Sequence, residues 1–407
     1  MLLSKKTHSV QETSTSDNFR PSWDIFSAVV DNYGDIGVCW RLARQLVAEH
    51  DLKVRLWTDD LISFQKINPE MDSRLPVQVS RGVEIRLWAE SDMAVEPADV
   101  VIEAFGRELP AAYVAAMANS GRRHAWVNLE YLSAEGWVDS HHGLPSPHPR
   151  LPLIKYFFFP GFSTGTGGLL VEKKWLDQRT SFQADIQRST DFWQELGIPA
   201  PEKNEIRISL FCYGNNSAIR LLTDWAKGAT PVLCLIPEGV ATTQITSFFG
   251  VDHPEEGNVF KKGSLVVMVL PFLEQDRYDK LLWACNYNFV RGEDSFIRAQ
   301  WAARPMIWQI YPQEAGAHWP KMRAFLDRYC ADLPQSAAAG LTTFFETWNA
   351  GSAGVPDWES LWMHRATLEK HAQEWANRLI NNEDLTTNLV NFCNIKLKYS
   401  AVYPHNF

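Results

Sequence analysis

No apolar run in this chain of 407 residues is long enough to cross a bilayer, so no membrane-embedded role is expected. The six cysteines, Cys39, Cys212, Cys234, Cys285, Cys330 and Cys393, form neither a C-x-x-C pair nor a zinc spacing. Reduced, buried thiols in a cytoplasmic protein are the expectation. The first glycine-bearing loop is not a G-x-G-x-x-G fingerprint, the later glycine cluster has no P-loop lysine after it, and no D-x-D pair lies near the stretches that carry chemistry. An excess of positive charge is lacking too. A net charge of −9 argues against a nucleic-acid binder that neutralises phosphates, and it is compatible with a cationic protein substrate. Residues Met1 to about Pro21 are polar and Ser/Thr-rich without a secretory apolar region, which reads as a disordered tail.

What is present is enough chain for two domains, 45% hydrophobic and 21% charged residues, and 17 tryptophans that suit cores and recognition surfaces alike. The informative stretch is Asp31-Asn32-Tyr33-Gly34-Asp35-Ile36-Gly37. The apolar run Ile25–Val30 precedes it, and a helical pattern with Val38, Leu42, Leu46 and Val47 on one face follows. Two aspartates therefore sit between a first strand and a first helix, at the carboxyl end of a parallel sheet where ligands bind. Acids there suit a cationic or hydroxylic substrate; equally, Asp35 could cap the helix and Asp31 end the strand.

Strands alternate with helices along the chain, at Val54–Thr58, Val83–Leu87, Asp99–Glu103 and His124–Asn128, then at Ile206–Cys212, Pro231–Ile236, Ser264–Leu270, Asn286–Val290 and Pro305–Trp308. That pattern predicts an α/β chain of two doubly wound domains facing one another, with Asp357 to about Lys396 helical at the end. The Pro/His-rich stretch Ser140–Pro152 reads as a solvated loop. Its histidines, His141, His142 and His148, have no carboxylate or cysteine to complete a metal set. In the second half, Arg291-Gly292-Glu293-Asp294-Ser295 joins a strand to a helix. Free amides and the positive helix end make an anion site there, and Glu293 can accept from a sugar hydroxyl. A simple cap at Asp294 or Ser295 is the competing reading. Phe211, Tyr213, Phe272, Tyr278 and Tyr311 lie on or beside neighbouring loops and can sandwich a flat base, with Gln275 near its edge; for any one aromatic, core packing is the commoner use.

The stretch from Asp31 to Gly37, the following Trp40-Arg41-Leu42-Ala43-Arg44, Leu56–Asp60, Asn128–Glu135, Leu144–Pro147, Lys155–Leu170 and Arg291–Ser295 together resemble the EarP family. The resemblance covers nearly the whole chain beyond the tail. It implies a GT-B glycosyltransferase: an N-terminal Rossmann-like acceptor domain over 23–160, completed by helices at about 370–407, a linker over 161–190 and a nucleotide-sugar domain over 191–369, with 1–22 as tail. It implies transfer of L-rhamnose from dTDP-β-L-rhamnose to one arginine of translation elongation factor P, with inversion, without metal or cofactor, in the cytoplasm. The implied catalytic residues are Asp31, Asp35 (as base) and Glu293. Those implied to bind the nucleotide-sugar are Asn32, Tyr33, Phe211, Tyr213, Phe272, Gln275, Tyr278, Arg291, Asp294, Ser295 and Tyr311. Tyr278 stands where the family pattern has phenylalanine, and a phenol still stacks. Two other classes remain at this stage: a GT-B transferase with another acceptor, and a non-catalytic module that binds the factor.

Overall fold

The computed structural model describes residues 20–29, 33–88, 95–214, 216–351 and 356–399. Asp31, Asn32, Val30 and the tail up to residue 19 lie outside the described residues. The first sheet holds β1 (Ser22–Ser27), β2 (Lys53–Thr58), β3 (Val77–Ser80), β4 (Val83–Leu87), β5 (Val100–Ala104), β6 (Ala125–Leu129), β7 (Pro145–Pro147) and β8 (Ile154–Phe158). Their spatial order is β3-β4-β2-β1-β5-β6-β8-β7, parallel except for the edge strands β3 and β7. The second sheet holds β9 (Ile206–Leu210), β10 (Val232–Pro237), β11 (Val259–Lys262), β12 (Leu265–Leu270), β13 (Tyr287–Arg291) and β14 (Met306–Gln309). It is ordered β11-β12-β10-β9-β13-β14, with β11 alone antiparallel among the described strands.

The central strands β5, β6, β9 and β10 are buried throughout; β10 reads as an apolar run for that reason, whereas β9 alternates, with Arg207 and Ser209 buried. In each sheet the chain steps outward on one side of the first strand and returns to add strands on the other. The reversal falls between β1 and β5 in one domain and between β9 and β13 in the other. Ligands bind at the carboxyl ends of strands flanking such a reversal. The loops after β1 and after β9 and β13 line one cleft from opposite domains. Two Rossmann-like sheets that face one another across a cleft form the GT-B architecture.

Two boundaries differ from the sequence expectation. β1 starts at Ser22 rather than Ile25, and the first helix spans Gly34–His50 rather than beginning at Val38. The C-terminal segment is helical as expected, in three helices, Trp358–Met363, Arg365–Ile380 and Leu385–Tyr399. The proline-rich stretch expected as a loop contributes β7, an edge position where prolines are tolerated.

Candidate active site

The early start of the first helix changes the setting of Asp35. It stands in the first turn, behind Tyr33 at the cap position, and does not itself cap the helix. Asp35 is 6% exposed, and the Tyr131 hydroxyl donates to its Oδ2 at 3.2 Å. Across the cleft, β13 ends at Arg291 and Gly292 turns the chain at φ +62°, a conformation natural to glycine. The helix Asp294–Trp301 follows, so Glu293 stands at its cap. Glu293 Oε2 accepts from the Leu132 N–H at 3.1 Å, while its Oε1 is buried without a hydrogen-bond partner. Burial first, and then the charge of Asp35, push the Glu293 carboxyl up to about 8. Lys321 pulls in the opposite direction.

Glu293 is therefore protonated in the folded chain over a range in which the unfolded chain has released the proton. Between its ordinary value of 4.5 and about 8, this group makes stability fall as pH rises. In Glu293→Gln that contribution is absent. Thermal unfolding from about pH 5 to about pH 9 should show the glutamine variant gaining on the native chain as pH rises. A difference that stays constant with pH contradicts this placement of the proton.

The cleft has two lobes that share Gly34, Gly292 and Glu293. The first, about 730 Å³, is walled by aromatics and has Arg291 in its side. The Arg291 guanidinium lies 4.3 Å from the Phe211 ring centre and 4.6 Å from that of Tyr213, and donates to the Cys212 carbonyl at 3.0 Å. These contacts hold a cation facing the lobe without neutralising it. Phe272 meets Tyr33 of the other domain edge-on at 5.0 Å, and Phe211 meets Tyr278 at 5.7 Å. The Tyr278 hydroxyl is buried with no protein partner, and the residue lines this lobe. Ser295 lines the same lobe, with its hydroxyl donating to the Arg291 carbonyl and accepting from the Arg291 N–H at 3.2 Å, so it also braces the turn.

The second lobe, about 890 Å³, holds Asp35, Glu293, Tyr131, Gln313 and Lys321. Tyr311 opens into this lobe rather than the first, with its ring edge-on to Tyr213 at 5.5 Å. Asp35, the Tyr131 phenol and Lys321 thus face one lobe, and Arg291 with stacking surfaces and Asp294 faces the other. Asp35 and Glu293 meet at the border.

Gln275 and Asp294 reach the wall of the first lobe, but their side chains are engaged by the opposite domain. Gln275 donates to the Gly37 carbonyl at 3.0 Å, and Asp294 accepts from Arg41 Nε at 2.8 Å. A Cβ on Gly37 would come within 3.1 Å of the Gln275 amide, so a larger residue where the two domains touch requires that side chain to shift. Arg41, Tyr131, Leu132 and Lys321 were not singled out by sequence reasoning. Tyr131 follows β6, so the carboxyl-end rule that located the other loops applied to it as well. Lys321 sits on the helix His318–Tyr329 and carries no local signal. Among the described residues, no group of three or more His, Cys, Asp or Glu is arranged to hold a metal ion. No helix is long and apolar enough to cross a membrane among those residues.

The chain matches the family profile described as "Elongation-Factor P (EF-P) rhamnosyltransferase EarP" over residues 23–394. It is 47% identical over 371 residues to the protein-arginine rhamnosyltransferase of Pseudomonas aeruginosa, covering 91% of this chain and 98% of that one. The Pseudomonas putida protein of the same name is 46% identical over 373 residues, covering 92% and 98%. A solved structure concerned with EarP-mediated arginine glycosylation of translation elongation factor EF-P matches with a TM-score of 0.66 at 33% identity. That match covers 92% of this chain and 99% of the other.

Proposed function

This chain belongs to the EarP family, and on that premise we propose that it transfers L-rhamnose from dTDP-β-L-rhamnose to one arginine of translation elongation factor P, with inversion. The observation that carries the reading is the arrangement of the cleft, with the Asp35 carboxylate in the acceptor lobe, the partly uncovered Arg291 and the aromatic wall in the donor lobe, and the Glu293 carboxyl shared between them. Arginine is a poor nucleophile because its guanidinium stays protonated at neutral pH. A carboxylate at Asp35 can hold the planar fork and receive a proton as the new bond forms. One guanidinium nitrogen attacks the anomeric carbon from the face opposite the diphosphate. The carbon–oxygen bond to the diphosphate breaks, and dTDP leaves with that electron pair.

The leaving group needs stabilisation more than it needs a proton. Arg291 and the amides at the start of the Asp294–Trp301 helix supply it, so no metal is required in this scheme. Phe211, Tyr213, Phe272 and Tyr278 provide faces and an orphan hydroxyl for the base and sugar, with Tyr33 completing the wall from the acceptor domain. Asp31 and Asn32 belong to the same proposal on the resemblance alone. A soluble cytoplasmic setting fits a substrate that works in translation.

Transfer assays with a panel of nucleotide sugars, each run with and without a metal chelator, test the donor and the metal-free scheme. The dTDP-rhamnose reaction should proceed undiminished in chelator, and preference for a different donor would contradict the reading. Arg291→Ala should weaken donor binding by about ten- to a hundredfold, the worth of one to two charge-assisted hydrogen bonds. Calorimetry with dTDP-β-L-rhamnose measures it, and unchanged affinity would remove Arg291 from the donor site.

A further inference from the structure

The loop that follows β6 touches both carboxylates with consecutive residues: the Tyr131 hydroxyl donates to Asp35 and the Leu132 N–H to Glu293. It is anchored on every side. The Glu130 N–H donates to the Phe158 carbonyl at 2.9 Å, the Ser133 N–H to Pro160 at 3.4 Å, and Arg328 Nε to the Ala134 carbonyl at 2.7 Å. Leu132 and Ala134 are buried, whereas Tyr131 between the anchors is 37% exposed. Its ring stacks on Phe105 with centres 4.5 Å apart and planes within 21°. Phe105 adopts a backbone conformation rare for a bulky residue, φ +60°. Its N–H is fixed to the Leu129 carbonyl at 2.7 Å. The result is an aromatic ring, Tyr131 backed by Phe105, that lines the second lobe with its polar tip on the carboxylate that would take the proton.

Resting on the arginine-acceptor reading, we infer that the Phe105–Tyr131 stack is the platform on which the acceptor guanidinium lies, and that the Tyr131 hydroxyl fixes the orientation of the Asp35 carboxylate. Guanidinium is planar and weakly hydrated, and it stacks on aromatic faces while its edge donates to carboxylates. A platform beside a carboxylate satisfies both demands with one approach of the side chain. The two roles separate by substitution. Tyr131→Phe keeps the surface and loses the hydroxyl; Tyr131→Leu loses both.

The test is steady-state transfer to elongation factor P by each variant, with donor affinity and thermal midpoint as controls for folding. Tyr131→Phe should lower kcat about tenfold with acceptor KM within about twofold of native. Tyr131→Leu should add a rise in acceptor KM of about fivefold or more, with donor affinity unchanged. A purely structural role would not produce that split. Native kcat in Tyr131→Phe, or native acceptor KM in Tyr131→Leu, overturns the inference while leaving the functional reading in place. Failure of the native protein to modify the factor's arginine overturns both.

Discussion

Asp35→Asn is expected to lose roughly 10²- to 10⁴-fold in transfer rate, the usual worth of a general base, while donor affinity stays within about twofold of native. Asparagine fills the same space, and its side-chain oxygen still accepts from the Tyr131 hydroxyl, so the first turn of the helix keeps its place. What asparagine cannot do is receive a proton or offer a full negative charge to a guanidinium. The loss should therefore fall on kcat and on acceptor binding. In the proposed scheme the donor is held in the other lobe, which Arg291 and the aromatic wall line. A further consequence follows at Glu293, whose carboxyl is raised partly by the charge of Asp35. Without that charge, Glu293 should titrate lower than about 8, and its pH-dependent effect on stability should move to more acid pH. Titration calorimetry and stopped-time transfer assays measure the two sides. Donor affinity lost in proportion to rate would show that Asp35 serves the nucleotide-sugar rather than the proton.

Arg41→Ala should be the most damaging single substitution to stability discussed here, at about 3–5 kcal/mol. Arg41 is 1% exposed and donates to both oxygens of Asp279 at 3.0 Å and to Asp294 at 2.8 Å. Arg298, also buried, donates to Asp279 at 2.9 Å and to Glu172 at 2.8 Å. Two arginines thus satisfy three carboxylates in a seam between the first helix of one domain and the helices of the other. Such a seam need not be worth more than an apolar contact of the same shape. Removing one partner is a different matter, because the buried Asp279 would keep only Arg298 and the half-buried Asp294 would lose its arginine. Denaturant unfolding measures the loss. The surface pair Arg74–Asp72, with Arg74 87% exposed, provides the contrast: Arg74→Ala should leave the midpoint unchanged. If Arg41→Ala unfolds at the native midpoint, the seam does not hold the domains together. Because the same seam fixes Asp294, one residue after Glu293, the variant should also lose activity in its folded fraction.

The sequence carried the strand–helix alternation and the carboxyl-end loops because each is a local pattern: an apolar run, a glycine that permits a turn, and an acid at a helix start. β1 was placed late because Asp24 interrupts its apolar pattern. That carboxylate is wholly buried, satisfied by Arg55 at 2.6 Å and by the Trp57 indole at 2.9 Å from a neighbouring strand. No local rule anticipates a charge whose partners lie on another strand. The edge strands β3, β7 and β11 are short and partly exposed, so periodicity had little to work on. Arg41 shows the limit most clearly. On the sequence it is one arginine on an amphipathic helix, and only the packing of the second domain makes it buried. Tyr131 was visible within a resemblance motif but had no assignable role until Asp35 stood beside its hydroxyl. Gln275 and Asp294 were expected as nucleotide-sugar contacts on the resemblance, and the structure adds their bonds across the domains.

The central claim is transfer of rhamnose to one arginine with Asp35 as the base. Its most direct test combines purified protein, dTDP-β-L-rhamnose and elongation factor P from the same organism, read by intact and peptide mass spectrometry. The account predicts a gain of one deoxyhexose, confined to a single arginine, and absent when Asp35→Asn replaces the native protein. Donor bound without any transfer to the factor, or transfer undiminished by Asp35→Asn, would contradict it.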